Sequence, residues 1–390
     1  MDKRLLVLAL GMFALGTDSF VMAGILPQIA RGFDVPIGAA GQMTTVYAIT
    51  YALMAPTVAA LAASVPRKRL LLSGLAIFVV TNLATAWAPT FGIALLTRVL
   101  AGFGAAMFAP TATGAAATLV APEKRGFALS VVIAGLSAST ALGSPIGAVI
   151  GVADWRWTML FVSVLGALSG VGVWALLSHI PLPPAIPLSQ RLAPLRDARV
   201  ALTLLTTLLY QAGHFIGYTY FTLVFARVLG GGGWLIGALL VLWGLSGTVS
   251  NLISGRLSDS IGDTKVIFGM LSVLTLAMAS LSLAGAHLLT TVAVVVVWGA
   301  CAWGALSPQQ HRLVSLAPTS APVVLGLNTS CTYLGVTIAG VIGALALPVV
   351  GGEGLGYIGA LATSAALLVA MLATLRINAG AIGAPARARG

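Results

Sequence analysis

Asp18 is a carboxylic acid in the middle of an apolar run, LALGMFALGTDSFVMAGILPQIA, which covers residues 8–30. A charged side chain at the centre of a membrane helix costs about 2.5–3.5 kcal/mol on insertion scales. Burial away from water favours the neutral, protonated carboxyl, whereas the ionised group accepts hydrogen bonds from a ligand. Asp18 is therefore a candidate proton carrier, with a structural hydrogen bond as the alternative.

His214 is the second titratable candidate. It shares a helix face with Gln211 and Tyr218, which lie three and four residues away. An imidazole, an amide and a phenol together can hydrogen-bond the ring nitrogens and carbonyls of a nucleobase. The alternative is a polar ridge that joins two helices.

Other polar and aromatic residues inside apolar segments are candidates for ligand contact. Gln309 and Gln310 follow Pro308, where we expect a distorted helix with exposed polar groups. Tyr47 and Trp303 offer stacking surfaces, although core packing or an interfacial belt also explains a single aromatic residue. The sequence predicts no metal site, because its two cysteines, Cys301 and Cys331, lack the spacing of metal ligands.

The composition identifies the elements that must position these residues. Of the 390 residues, 59% are hydrophobic and 7% are charged, against about 25% charged in soluble proteins. A chain with a mean hydropathy of +1.04 is expected to lie in a membrane. Its apolar segments are long and lack period-2 alternation, which excludes strands. Twelve spans are predicted, at residues 5–27, 39–63, 70–88, 91–120, 127–152, 157–179, 200–229, 234–257, 266–286, 288–316, 323–350 and 355–375.

The net charge of +11 has two possible origins, nucleic-acid binding or the excess of basic residues on the cytoplasmic side of membrane proteins. Twelve spans put both termini on one side. If that side is the cytoplasm, sixteen of the twenty Lys and Arg residues lie on it, three lie outside and Arg98 lies within a span. This bias predicts the orientation and explains the charge without a nucleic-acid partner.

Prolines and basic residues interrupt the apolar pattern in HIPLPPAIPLSQRLAPLRDAR, residues 179–199. We therefore expect a six-span bundle, a cytoplasmic linker, a second six-span bundle and a cytoplasmic tail, at residues 1–180, 181–199, 200–376 and 377–390. A shift of 196 residues aligns the small-residue ridges of the fifth and eleventh segments. The same shift places Asp18 on His214, which predicts two titratable groups near the midplane.

The connection after the eighth segment, GRLSDSIGDTK, resembles the G-x-x-x-D-x-x-G-R-K/R loop of the major facilitator superfamily. Gly255, Asp259, Gly262 and Lys265 match this pattern, which in the family locks one access state through charge pairs. The first-half counterpart, ALAASVPRKR, keeps the basic residues but lacks the Asp and the Gly. An ordinary cytoplasmic turn is the alternative.

RVLAGFG at residues 98–104 is similar to the fourth-span R-x-x-x-G-x-G motif of this superfamily. Arg98 and Gly102 match the motif. A charge within a span indicates a function or a partner, and an arginine that snorkels to the membrane surface is the alternative.

GLSASTALGSPIGAVIG at residues 135–151 resembles the fifth-span motif that marks exporters in the superfamily. Gly143, Pro145 and Gly147 match it, although Ser144 separates the usually adjacent Gly and Pro. Close helix packing with a proline bend also explains these residues.

Nearly the whole chain is similar to the twelve-span drug:H⁺ antiporter branch. The stretches AGILPQIA, QAGHFIGYTYF, WGACAWGALSPQQHRLVSLAP and GLNTS are most similar to bacterial purine-base and nucleoside efflux pumps. Sugar-efflux and chloramphenicol-resistance exporters share much of the pattern, and similarity of fold does not define a substrate. The resemblance implies an all-α membrane protein whose twelve transmembrane helices form two pseudo-symmetric six-helix bundles, with Asn328 in the central cavity.

The sequence has no G-x-x-x-x-G-K-[ST] loop to bind ATP phosphates, which leaves an ion gradient or downhill transport. Protons need only one or two titratable groups, whereas no cluster of intramembrane acids supports sodium coupling. We expect a proton-coupled exporter of a small amphipathic molecule, with no cofactor besides the proton gradient. A purine base or nucleoside is the first candidate, and chloramphenicol-type drugs and sugars are the alternatives.

Two other classes of protein are less consistent with the sequence. A membrane-embedded enzyme would need a nucleophile–base pair or a metal cluster, and both HExxH and GxSxG are missing. A receptor or scaffold would not need Asp18. We therefore expect a monomeric transporter of the bacterial inner membrane with both termini in the cytoplasm.

Overall fold

The computed structural model describes residues 2–178, 180–181, 186–230, 233–284 and 287–382. This part of the chain consists of helices and short connections and contains no strand, which confirms the predicted fold class. Parts of the predicted linker and tail, namely residues 182–185 and 383–390, lie outside the described residues.

Eleven helical segments are long and apolar enough to cross a membrane. The last of them contains two spans, because Gly351 is non-helical with φ +67°. The described residues therefore form twelve spans. Spans 1 to 12, in chain order, are Lys3–Phe33, Ile37–Leu61, Arg67–Ala86, Phe91–Thr118, Arg125–Ile150, Trp155–Leu176, Ala198–Thr219, Gly233–Ile261, Asp263–Ala284, Leu288–Leu316, 321–350 and 352–382.

Aspartate caps explain where several spans begin. Asp2, Asp154 and Asp197 each accept a hydrogen bond from the backbone N–H two residues later, just before spans 1, 6 and 7. Asp2 also pairs with Arg4, and Asp197 pairs with Arg199, both at 2.7 Å. Spans 1 and 7 therefore start with the same Asp-x-Arg capping motif.

Several spans are interrupted within the membrane. Span 5 contains a π-helical turn at Ser139–Gly143, and span 10 breaks at Ala305, three residues before Pro308. The sequence predicts that distortion correctly. The seventh span is shorter than predicted, because Tyr220 leaves the helical conformation and two short helices, Phe221–Val224 and Ala226–Leu229, follow it.

Spans 1–6 pack mainly against one another, as do spans 7–12. These sets are called the first and second bundle. The side on which span 1 begins is called the terminal face, and the opposite side is the far face. Spans 2 and 11, and spans 5 and 8, make the main contacts between the bundles.

The contacts between the bundles are concentrated toward the far face. Span 8 contacts residues 139–150 of span 5 much more than residues 125–138. Gln42, near the far end of span 2, donates to the carbonyl of Gly340 at 3.3 Å. A continuous apolar core containing Leu26 and Leu240 also crosses between the bundles there.

Candidate functional site

Asp18 and Arg98 form an ion pair inside the first bundle, and both side chains are fully buried. Nη1 of Arg98 lies 2.7 and 2.9 Å from the two carboxylate oxygens of Asp18 and 3.1 Å from Oδ1 of Asn82. Asn82 donates to the carbonyl of Phe78, one turn earlier on span 3, at 3.0 Å. One polar network therefore joins spans 1, 3 and 4.

Pairing reduces the free-energy penalty of burying these charges, because each ion replaces part of the hydration that the other loses. The guanidinium carbon of Arg98 also lies 4.7 Å from the ring centroid of Tyr47, a cation–π contact. Arg98 therefore binds inside the bundle instead of snorkelling to the surface. Within the described residues, its Nε and Nη2 have no hydrogen-bond partner, which leaves donors for a ligand.

Aromatic and hydroxyl groups extend this site toward the second bundle. Tyr51 of span 2 stacks on Tyr333 of span 11, with ring centroids 4.0 Å apart. The buried hydroxyl of Tyr47 has no hydrogen-bond partner within the described residues. Asn82, Tyr51 and Tyr333 are not among the residues predicted from the sequence. Each places a polar group inside a predicted span, and this feature could have identified them.

His214 belongs to a buried network between spans 7 and 11. Its Nε2 pairs with Oε1 of Gln211, and Nε2 of Gln211 donates to Thr332 at 3.3 Å. Thr207, one turn earlier, donates to Oδ1 of Asn328 at 2.8 Å. Three predicted site residues, His214, Gln211 and Asn328, therefore lie along one helix contact, and no charged side chain hydrogen-bonds to them within the described part.

The two glutamines that follow Pro308 lie in different environments. Gln309 is buried, and its Nε2 lies 3.5 Å from the carbonyl of Thr203 on span 7. Gln310 is half-buried and forms no side-chain hydrogen bond with the described residues. Only Gln309 joins the polar face of span 7.

Tyr218 and Trp303 lie in an aromatic cluster between the bundles, on the far side of Asp18. The ring centroid of Phe20 is 6.2 Å from that of Phe215, 6.0 Å from that of Tyr218 and 5.8 Å from that of Trp303. Tyr218 donates to the carbonyl of Phe20 at 3.0 Å. The hydroxyl of Tyr218 thus binds span 1 instead of the His214 network.

Glycine contacts give the register of the internal repeat. Gly16 of span 1 packs against Ser139 of span 5. At the corresponding place in the second bundle, Gln211 of span 7 packs against Gly335 of span 11. The offset is therefore 195 residues between spans 1 and 7, and 196 residues between spans 5 and 11.

This register corrects the predicted equivalence of Asp18 and His214 by one residue. The caps Asp2 and Asp197 also differ by 195 residues, so Asp18 corresponds to Gly213. One residue turns a side chain by about 100° around a helix. Asp18 and His214 therefore occupy adjacent, not equivalent, positions of the repeat, and their side chains face different neighbours.

The loop between spans 8 and 9 has the turn that its glycine motif predicts. Gly262 has a φ of +89°, a left-handed conformation that favours glycine. Gly255 lies within span 8, and Asp259 and Lys265 are exposed. Neither charged residue forms an ion pair within the described residues.

Neighbouring residues of this loop contact the end of span 10 instead. Asp263 pairs with Nδ1 of His311 at 2.7 Å, and Nη2 of Arg312 donates to Thr264 at 3.0 Å. The interaction stays within the second bundle.

The glycines of the exporter-like motif allow close helix packing. A side chain at Gly143 would collide with Thr17 of span 1, and one at Gly147 would collide with Val21. Pro145 lies just after the π-helical turn. Gly102 packs against the carbonyl of Tyr47 in the same way.

Comparison with known proteins identifies the family. The Major Facilitator Superfamily model matches residues 8–340. The inner membrane transport protein YdhP of Escherichia coli (strain K12) is 30% identical over 375 residues, which cover 94% of this chain and 95% of that protein. A D-xylose-proton symporter has the same fold, with a TM-score of 0.76 at 14% identity over 95% of this chain and 96% of that chain.

The names of two further relatives mention a substrate. A probable sugar efflux transporter of Mannheimia succiniciproducens is 27% identical over 96% of this chain and 94% of that protein. A chloramphenicol resistance protein of Streptomyces lividans is 31% identical over 66% of this chain and 67% of that protein. With its family match across most of twelve spans, the chain belongs to the Major Facilitator Superfamily and is a multi-pass membrane transporter, not an enzyme.

Proposed function

We propose that this transporter exports a small amphipathic molecule in exchange for protons, and that Asp18 carries the proton. The observation that carries the proposal is the buried Asp18–Arg98 pair. Ionisable residues in membrane spans mark ion and proton pathways when they face the protein interior. A purine base or nucleoside is the first candidate substrate.

Protonation of Asp18 removes the charge that holds Arg98. The ionised carboxylate, in contrast, accepts a hydrogen bond from a donor on the substrate, and protonation removes this acceptor and releases the substrate. Coulomb attraction is strong where water is excluded, so the two protonation states favour different arrangements of spans 1, 3 and 4. Proton and substrate therefore compete for one site, as antiport requires.

Span 1 also supports coupling to the second bundle. Phe20 lies two residues after Asp18 and contacts Phe215, Tyr218 and Trp303 across the interface. A movement of span 1 on protonation would change these contacts. Proton binding at Asp18 and opening between the bundles are then linked by one coupling free energy.

A planar heterocyclic substrate fits the chemistry near the interface. The aromatic cluster around Phe20 offers stacking surfaces, and Gln211 and His214 supply donors and acceptors. Sequence stretches similar to purine-base and nucleoside pumps support this substrate class. The similarity to a probable sugar efflux transporter and to a chloramphenicol resistance protein supports sugars and chloramphenicol as alternatives.

The arrangement of the bundles supports loading from the cytoplasm. Their contacts lie mainly toward the far face. The distribution of Lys and Arg supports a cytoplasmic terminal face. If the terminal face is cytoplasmic, these contacts close the transport path to the outside. We expect the protein to lie in the inner membrane and a single chain to be sufficient for transport.

The test compares proton movement in everted membrane vesicles that hold an acid interior reported by a fluorescent dye. Purines, nucleosides, sugars and chloramphenicol are added separately to wild type and to Asp18→Asn. We expect one class to collapse the pH gradient in wild type and to have no effect on the gradient in the variant. Asp154→Asn, which changes a half-exposed carboxylate paired with Arg156 at 3.6 Å, is the control.

The outcomes separate coupling from transport. If labelled substrate moves in wild type without any proton flux, the antiport proposal is wrong and the protein is a facilitator. If Asp18→Asn exchanges protons as well as Asp154→Asn does, Asp18 is not the proton carrier.

A further inference from the structure

A row of polar side chains lies inside the second bundle, and the proposed function uses only its end at Gln211 and His214. Thr203, Thr207, Gln211 and His214 follow one another on span 7 at intervals of four, four and three residues, so they line one helix face. All four are at least 97% buried. The row runs from near the terminal face to the middle of the span.

Spans 10 and 11 supply partners to the first three residues of this row. In order from the terminal face, these are Gln309 beside Thr203, Asn328 bonded to Thr207, and Thr332 bonded to Gln211. Arg312 lies three residues beyond Gln309, is 5% exposed and continues the row to Thr264 at the terminal face. These residues together are called the polar row.

Several buried atoms of the polar row have no hydrogen-bond partner within the described residues. They are Nδ1 of His214, Nδ2 of Asn328, Oε1 of Gln309 and Nη1 of Arg312. A buried polar atom without a partner is costly, and the penalty is larger where no water is present. Ordered water is the usual partner of buried polar atoms that protein groups do not satisfy.

The same three spans also enclose an apolar cluster beside the polar row. Leu204 of span 7 packs there with Leu313 of span 10 and Val324 of span 11. Leu204 is 2% exposed and Val324 is fully buried. The three side chains of this cluster are apolar and offer water no hydrogen bond. They therefore provide control positions that are as buried as the polar row but do not attract water.

We propose that the polar row is a hydrated path, in which ordered water molecules connect Arg312 at the terminal face to His214. Water satisfies the unpaired amide, guanidinium and imidazole atoms, and a continuous chain of these groups lets the imidazole exchange its proton with the terminal face. This route is separate from the Asp18–Arg98 pair. Its role in transport rests on the proposed function, whereas its hydration does not.

The test uses cysteines as reporters of water access, in a variant whose Cys301 and Cys331 are replaced by Ala. Thr207→Cys is compared with Leu204→Cys on span 7, and Asn328→Cys is compared with Val324→Cys on span 11. The purified proteins in nanodiscs are treated with hydrogen peroxide, which is close to water in size and polarity. The peroxide oxidises the thiol to a sulfenic acid and is reduced to water, and mass spectrometry follows the rate.

We expect the polar-row cysteine in each pair to be oxidised at least about tenfold faster than its apolar control, because only the polar row admits water-like molecules. Equal rates within the pairs would overturn the proposal. Two pairs on different spans keep the test decisive if one variant does not fold. Oxidation requires no transport, so the result stands whether or not antiport is observed.

Discussion

The polar residues near the centres of the two bundles differ in charge and in their partners. In the first bundle, Asp18 and Arg98 carry full charges and bind each other and Asn82. In the second bundle, His214 and Gln211 bind each other, without a charged partner among the described residues. Spans 1 and 7 are equivalent in the repeat, yet one carries an acid and the other an imidazole one position later.

The residue of the second bundle that corresponds to Arg98 shows this difference in charge most directly. Gly102 and Gly299 each lie against a backbone carbonyl, of span 2 and of span 8 respectively, and are therefore equivalent. The residue four positions earlier is Arg98 in span 4 and Val295 in span 10. Val295 is fully buried in the apolar core.

The comparison indicates that the fold does not require the ion pair. The same helix packing accommodates a charge in one bundle and a valine in the other, and a buried ion pair is often no more stable than a well-packed apolar group. The charged network is therefore better explained by transport than by stability.

Arg98→Met should have the largest effect, because it leaves the carboxylate of Asp18 buried without a charged partner. We expect a loss of about 3–5 kcal/mol in the free energy of unfolding. The loss should be smaller at pH 5 than at pH 8, because protonation neutralises the unpaired acid. Thermal unfolding in detergent at both pH values measures this.

The double variant Asp18→Asn with Arg98→Met removes both charges. We expect it to recover most of the stability and to lose its dependence on pH. If the double variant is as unstable as Arg98→Met at both pH values, the unpaired carboxylate is not the cause.

Gly102→Ala and Gly299→Ala should have the next largest effect, and an equal one, because both bundles share this close approach. We expect each to lower the free energy of unfolding by about 1–3 kcal/mol, since the added methyl collides with a backbone carbonyl. Gly92→Ala is the control, because nothing lies near that position. Strongly different losses at the two glycines would contradict the assigned register.

His214→Leu should destabilise the second bundle less than Arg98→Met destabilises the first. It removes a neutral hydrogen bond to Gln211, worth about 0.5–1.5 kcal/mol. Thermal unfolding and the substrate KM in vesicles measure the effect. A loss as large as that of Arg98→Met would show that the second site is also held by charge.

The cap variants Asp2→Ala and Asp197→Ala should have the smallest effect, about 0.5 kcal/mol each, at the low end for helix caps, because both side chains are only half-buried. Hydrogen bonds from Arg4 and Arg199 hold the pKa of each aspartate below 3.8. The stabilisation is therefore present at neutral pH and disappears only as the pH falls through these lowered pKa values. Asp34→Asn, which keeps a left-handed residue at a helix end, is the control, and unfolding at pH 7 and pH 3 measures the effect.

Patterns within single helices determine much of this protein. Run length and hydropathy predict twelve spans, and the break before Pro308 follows from proline chemistry. The spacing of Gln211 and His214 predicts their contact, because residues three apart meet on one helix face. Asp18 stands out in the sequence because charge is costly in an apolar run.

Contacts between helices are decided only by the tertiary structure. Local periodicity gives the face on which a residue lies but not the helix that it meets. The pairing of Asp18 with Arg98 and Asn82, and the bond from Tyr218 to the carbonyl of Phe20, join spans distant in sequence. Close packing at small residues such as Gly16 and Gly102 sets the register between those spans, and a displacement of one residue is enough to direct Asp18 and His214 to different partners.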